Sequence, residues 1–155
     1  MNEVAFSVNG RPVRQQLSDE QLLLDVLREQ LGFTSVKRSC EVQVCGTCTV
    51  LVDGIPLSSC CTLAVEAASS EVTTVEGLAD RPYYERLEQA FLRHAAVQCG
   101  FCTPAMLLTI SALWDSGELD DEQGIVDALA GNLCRCTGYR SIIDAVLDAR
   151  GMVGA

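Results

Sequence analysis

Nine cysteines stand in 155 residues, and eight of them fall into two sets whose spacing suits metal ligation. The first set, Cys40, Cys45, Cys48 and Cys60, is spaced C-x4-C-x2-C-x11-C. The C-x4-C-x2-C run with a distant fourth cysteine is the plant-type arrangement for a [2Fe–2S] cluster. Four thiolates around such a core leave net negative charge, which is costly to bury unless backbone N–H groups point at the sulfurs. A wrapping loop supplies them, and Gly46, lacking Cβ, lets the backbone come close. Zinc is the competing metal, but zinc knuckles favour two matched short hooks, whereas three ligands here crowd one loop. Cys61 is the ninth cysteine. Neighbours on an extended chain point to opposite sides, so Cys60 and Cys61 should not both serve one cluster, and spacing leaves open which one does. The leftover thiol is read as a small buried hydrophobe.

The second set is Cys99 and Cys102 in Cys-Gly-Phe-Cys, with Cys134 and Cys136 in Cys-Arg-Cys. Cys99 and Cys102 precede a helix start at Thr103-Pro104, where unpaired N–H groups and the positive dipole end favour thiolate charge. A C-x-C hook is a tight bite on one tetrahedral ion. Across two irons it is easier: either each sulfur takes a different iron, or the loop twists so that both serve one.

The elements that must position these residues divide the chain in two. Val4, Phe6 and Val8 alternate as on a strand, and Asn9-Gly10 turns the chain into a second strand near Val13. Ser18-Asp19-Glu20-Gln21 has capping-box spacing ahead of a helix over about residues 19–30, stopped by Gly32. Residues 33–48 have no periodicity and read as the loop that carries three cysteines. Asp53-Gly54 marks a hairpin between residues 49–52 and 55–57, and residues 72–75 add a strand. Beyond Gly77 the pattern is helical. Candidates are residues 83–94; a helix capped by Thr103 and running to Ser116-Gly117; one framed by Asp120 and Gln123 with Ile125, Val126 and Leu129 inward; and one capped at Ser141 and closed by Gly151. The expected architecture is α+β: residues 1–77 a small mixed sheet with one packed helix, residues 78–155 an all-α four-helix domain.

A formal net charge of −10 disfavours nucleic acid and anionic membranes as partners. The start Met1-Asn2-Glu3-Val4 lacks the basic and apolar regions of a signal peptide, and the uncharged stretch from Ala95 to Trp114 reads as a buried helix too short to span a bilayer. A soluble, cytoplasmic protein is expected, in which nine cysteines are better explained by metal than by disulfides. The single histidine, His94, excludes a Rieske centre and reads as a helix-end residue. Trp114, Leu107, Leu108 and Ile110 read as core, and Arg135 as a surface ion-pair partner or a counter-charge to the second set. No nucleophile–base pair, P-loop or GxGxxG turn is present.

Three runs carry a family resemblance: residues 45–54 (Cys-Gly-Thr-Cys-Thr-Val-Leu-Val-Asp-Gly), 98–104 (Gln-Cys-Gly-Phe-Cys-Thr-Pro) and 131–139 (Gly-Asn-Leu-Cys-Arg-Cys-Thr-Gly-Tyr). In order and spacing, from residue 3 to about 148, the chain resembles the small iron–sulfur subunit of molybdenum hydroxylases, a family that includes xanthine dehydrogenase, aldehyde oxidoreductases and carbon monoxide dehydrogenase. The resemblance implies a plant-ferredoxin-like β-grasp domain followed by a four-helix domain, each with one [2Fe–2S] cluster. It implies that Cys60 rather than Cys61 completes the first set. It places the cluster of Cys99, Cys102, Cys134 and Cys136 beside a molybdopterin in a large partner subunit, with Gln98 contacting the pterin. The other cluster would face the exit side, commonly an FAD-binding medium subunit. The chain departs from the family pattern at Ser39, Gln43 and Ala105, none of which removes a ligand. The expected function is therefore electron relay within a larger oxidoreductase. A freely diffusing two-cluster ferredoxin and a structural zinc module are the competing functions.

Overall fold

The computed structural model describes residues 1–114 and 116–152. Strands β1 (Asn2–Val8) and β2 (Arg11–Leu17) form the opening hairpin, paired antiparallel from Asn2 with Leu17 to Val8 with Arg11. Asn9 and Gly10 turn it with φ of 52° and 74°, the left-handed pair that matches the twist of the flanking strands. Asp53 and Gly54 do the same, at 50° and 82°, between β3 (Thr49–Val52) and β4 (Ile55–Ser58). Strand β5 (Glu71–Thr73) enters between the hairpins, parallel to β1 and antiparallel to β3, giving the order β2-β1-β5-β3-β4. Pro12 and Pro56 lie on β2 and β4, the two edges, where a missing N–H costs no ladder bond.

One helix packs on this sheet. It starts later than its capping pattern suggests, at Leu23 (α1, Leu23–Asp25), and continues as a wider π turn over Val26–Gln30. Half of the capping box forms, with Gln21 Oε1 accepting from the Ser18 N–H. The start is delayed because Leu22 is held in a bridge with Leu63 across the sheet side of the fold. Leu23, Leu24, Val26 and Leu27 are all fully buried and form one apolar face against the sheet. With Val4, Phe6, Val8 and Val50 they form the first core.

The second core is helical: α2 (Tyr84–Arg93), α3 (Thr103–Ala112), α4 (Glu122–Leu129) and α5 (Arg140–Ala149). Helix α3 is the central one, with every residue from Ala105 to Ile110 buried. It begins one residue before the expected position, with Cys102 at the cap, and ends at Ala112, short of Ser116-Gly117. In α4 the cap is Asp121, whose carboxylate accepts from the Gly124 N–H at 2.7 Å. Ile125 and Leu129 face inward as expected, but Val126 is exposed, a step of 100° off the buried line. In α5 the cap position falls on Tyr139, at φ 70°, and Ser141 lies inside the helix with a buried hydroxyl. No helix among the described residues is long and apolar enough to cross a membrane.

The halves meet along a polar seam. Asn132, 4% exposed, donates from Nδ2 to the Gly46 carbonyl at 3.0 Å, and the Leu133 N–H donates to the Cys45 carbonyl at 2.9 Å. Thr109 of α3 donates its hydroxyl to Asn132 Oδ1 at 3.0 Å, which fixes which end of the amide faces Gly46. Gly46 sits at φ 66°, and a Cβ there would lie 2.2 Å from the Gly131 carbonyl oxygen. Gly46→Ala therefore loses at least about 2 kcal/mol, combining left-handed strain with a backbone clash. Gly54→Ala, at φ 82° with open space around it, suffers only the strain. Denaturant unfolding of the two variants should show the larger loss at Gly46; equal losses would mean that the seam yields easily.

Candidate metal centres

The two cysteine sets assemble as sulfur pairs. The loop after the π turn is wound by left-handed residues at Glu41 (φ 58°), Gln43 (φ 59°) and Gly46. Gln43, where the family pattern has a smaller residue, thus occupies a conformation that glycine adopts without strain. The winding turns the Val44 and Cys45 N–H groups onto Cys40 Sγ, each at 3.4 Å. Cys45 Sγ lies 3.2 Å from Thr47 Oγ1. Cys48 and Cys60 face each other from the start of β3 and the turn after β4, both buried in the first core, and the Ser59 hydroxyl bonds to the Cys48 carbonyl at 2.7 Å.

In the helical half, Gly100 (φ 75°) folds the Cys99–Cys102 segment back ahead of α3. Cys136 Sγ stands 3.4 Å from Cys99 Sγ, while Cys134 faces Cys102. Successive members of the C-x-C hook therefore point at different partners. Thr137 donates to Cys134 Sγ twice, from its N–H at 3.5 Å and its hydroxyl at 3.1 Å. Tyr139, strained at positive φ, places its hydroxyl to accept from the Cys134 N–H at 3.0 Å and donate to the Asn132 carbonyl at 3.2 Å. All four sulfurs line one cavity of about 450 Å³, and Cys45 and Thr47 reach the same cavity from the other half. Cys99 and Cys136 are exposed, Cys134 half-buried and Cys102 buried.

Bare thiols in these sets are shifted in opposite directions. Burial opposes ionisation of Cys45, yet the bonds from Thr47 and Cys40 outweigh it and draw the pKa down to about 6. Burial, then the neighbouring Cys60, push Cys48 up to about 11. Burial, with Cys134 adding to it, pushes Cys102 up to about 12. Cys134 is lowered: burial opposes, and the Thr137 hydroxyl and N–H prevail. Like charges at this spacing cannot all ionise unless a cation sits among them. The donor set therefore fits a core that supplies positive charge to four thiolates at once and displaces the remaining protons. Among the described residues no three Cys, His, Asp or Glu side chains are placed as a single-ion site.

Other expectations fare unevenly. Gln98 is exposed beside Cys99, at the rim of the second set. Cys61 is exposed and not a buried hydrophobe, because residues 59–61 form a 3-10 turn in place of an extended strand; its sulfur lies 3.7 Å from Cys60 Sγ. His94 caps the end of α2 and pairs with Asp148 of α5 at 2.9 Å. Trp114 is core, stacked on Tyr83 at 4.4 Å. Arg135 lines the second cavity. Thr47, Thr137, Tyr139 and Asn132 also serve these sites; a threonine two or three residues after a cysteine is the sequence signal for the first two.

Two cysteine-lined modules, one on a mixed sheet and one on helices, define an iron–sulfur protein of the [2Fe–2S] class. Residues 6–78 match the 2Fe-2S iron-sulfur cluster binding domain, and residues 74–147 the [2Fe-2S] binding domain. The chain is 42% identical to the nicotine 6-hydroxylase small subunit of Paenarthrobacter nicotinovorans, over 98% of this chain and 92% of that one. It is 44% identical to the nicotinate dehydrogenase small FeS subunit of Eubacterium barkeri, over 94% of each. It superposes on a chain of quinoline 2-oxidoreductase from Pseudomonas putida 86 with a TM-score of 0.89 and 41% identity, covering 97% of this chain and 95% of that one. The chain belongs to the family of small [2Fe–2S] subunits of molybdenum hydroxylases. Its role is electron transfer within an oxidoreductase complex.

The choice between Cys60 and Cys61 is directly testable. Cys61→Ser should leave the visible absorption of both centres intact, whereas Cys60→Ser should remove that of the first. The reverse pattern would move the ligand to Cys61.

Proposed function

We propose that Cys40, Cys45, Cys48 and Cys60 hold one [2Fe–2S] cluster and Cys99, Cys102, Cys134 and Cys136 the other. The observation that carries this reading is the pairing of sulfurs within each set. It assigns Cys40 with Cys45, Cys48 with Cys60, Cys99 with Cys136, and Cys102 with Cys134 as the two thiolates on each iron. The C-x-C hook thus serves both irons of its cluster. We further divide the chain into a ferredoxin-like module over residues 1–77 and a helical module over residues 78–155.

A bound [2Fe–2S] cluster accepts and releases one electron at a time. The chain's residues provide the route: Cys134 follows Leu133 directly, and the Leu133 N–H meets the Cys45 carbonyl at 2.9 Å, so one hydrogen bond joins the two ligand sets. The exposed Cys99–Cys136 end, with Gln98, Phe101 and Leu133 around it, faces the molybdopterin of a large partner subunit, and Gln98 contacts the pterin. The Cys40 loop, with Val42 and Val44 exposed, faces an FAD-binding medium subunit. A chain with eight ligating cysteines and one further thiol suits the reducing cytoplasm as the compartment. The relatives named for nicotine, nicotinate and quinoline support an N-heteroaromatic substrate, bound in the large subunit.

Isolation of the native complex tests the assignment. It should contain about four irons and four acid-labile sulfides per copy of this chain, two per cluster, together with a molybdopterin subunit and a flavin subunit. A colourless zinc-bound protein, or a fully active free chain, would overturn it. Cys136→Ala should abolish the second centre's signal, slow electron exit from molybdenum and leave the first centre's spectrum unchanged. Loss of both spectra would show that the two modules do not load independently.

A further inference from the structure

Each centre receives a side-chain hydroxyl, and the two hydroxyls fall on the two cysteines that flank the bridge between the centres. Thr47 Oγ1 lies 3.2 Å from Cys45 Sγ, and Thr137 Oγ1 lies 3.1 Å from Cys134 Sγ. Cys45 owns the carbonyl, and Cys134 directly follows the N–H, of the Leu133–Cys45 hydrogen bond. Thr47 is buried, Thr137 half-buried, and Thr47 reaches the cavity lined by the second set.

The direction of each bond follows from chemistry. A ligating thiolate carries no proton, so at both sulfurs the hydroxyl must be the donor. At Thr137 the backbone helps, because the Tyr139 N–H donates to Oγ1 at 3.1 Å, occupying a lone pair and leaving the hydroxyl proton for sulfur. Tyr139 in turn is held by its own hydroxyl between Cys134 N–H and the Asn132 carbonyl, so the donor is pre-aligned. A hydrogen bond to a ligand sulfur stabilises the more negative, reduced state of a centre more than its oxidised state.

We propose that Thr47 and Thr137 are positioning residues that raise the reduction potentials of the two centres and stabilise the arriving electron on the irons facing each other, those of Cys45 and Cys134. The inference rests on the ligand assignment above. The step is a one-electron reduction: the electron comes from the reduced molybdenum centre, no bond is made or broken, and each hydroxyl proton stays on its oxygen. The remaining cysteines have no side-chain hydroxyl donor of this kind among the described residues. The two bonds therefore act on the inward sides only and help draw the electron across the seam.

The experiment is an EPR-monitored potentiometric titration of the native complex carrying Thr47→Val or Thr137→Val. Thr47→Val should lower the reduction equilibrium constant of the first centre about tenfold, about 59 mV for a one-electron couple, and leave the second unmoved. Thr137→Val should do the converse. Thr→Ser at either site should restore the parent potential, which a role in packing alone would not predict, because Val fills the space better than Ser. If a Val variant does not assemble, the Ala variant removes the hydroxyl without adding apolar bulk. Reduction equilibrium constants that stay within twofold of the parent, or shifts that Ser does not reverse, would overturn this inference. A parent complex without two iron–sulfur signals would overturn the ligand assignment instead.

Discussion

Thiolate charge is the constraint around which this chain is organised. Eight sulfurs held as pairs, with the resolved pair only 3.4 Å apart, cannot all ionise without a cation core between them. The chain answers with donors more than with counter-ions. Backbone N–H groups of Val44, Cys45 and Thr137 and the hydroxyls of Thr47 and Thr137 point at sulfur, while Arg38 beside the first set is paired with Asp25 and Glu41. Fixed dipoles of this kind can be aimed from the chain itself, at the cost of left-handed backbone at Glu41, Gln43, Gly46, Gly100 and Tyr139. Apart from those in the hairpin turns and chain reversals elsewhere, positive-φ residues recur in both cysteine loops, because bringing N–H groups onto one point requires reversals that ordinary strand and helix dihedrals do not supply.

The same economy governs the seam. The halves touch through Gly46 against Gly131-Asn132, where the absence of a single Cβ brings two backbones into hydrogen-bond contact. Asn132 is buried with both ends of its amide used, by Gly46 and by Thr109. A buried amide satisfied on both sides specifies one register, since any slip leaves a donor or acceptor unpaired in a dry environment. That register is what brings the Leu133 N–H to the Cys45 carbonyl. The two cysteine sets are thus held in register by a contact that involves no sulfur at all.

Much of this was legible from sequence where the determining chemistry is local. The Asn9-Gly10 and Asp53-Gly54 turns, the alternation of Val4, Phe6 and Val8, and the apolar run of α3 each carry their cause within a few residues. The cysteine spacing picks out the two groups of cysteines for the same reason, but leaves the choice between Cys60 and Cys61 open. What was not legible depends on contacts far along the chain. The α1 start slid to Leu23 because Leu63 holds Leu22. Ser141 looked like a cap, but Tyr139 took that position because its hydroxyl is committed to the Cys134 loop. Cys61 was assigned to the interior on the assumption of extended chain, and the turn at Ser59–Cys61 turned it outward. The role of Asn132 is not legible locally, since its partner Gly46 stands 86 residues away.

Exposure orders the centres into a direction. In the second set Cys99 and Cys136 are open and Cys102 is buried; in the first, Cys45, Cys48 and Cys60 are buried and Cys40 is the most accessible. The accessible sulfurs thus lie at two ends and the protected ones between them, with the seam in the middle. Exposed apolar side chains stand at each open end, Val97, Phe101 and Leu133 at one and Val42 and Val44 at the other. Partner subunits that covered them would exclude water from the open sulfurs. A centre left wet at its outer end would exchange electrons with any small oxidant that reached it. The buried middle needs no such cover, because the protein's own seam already provides it.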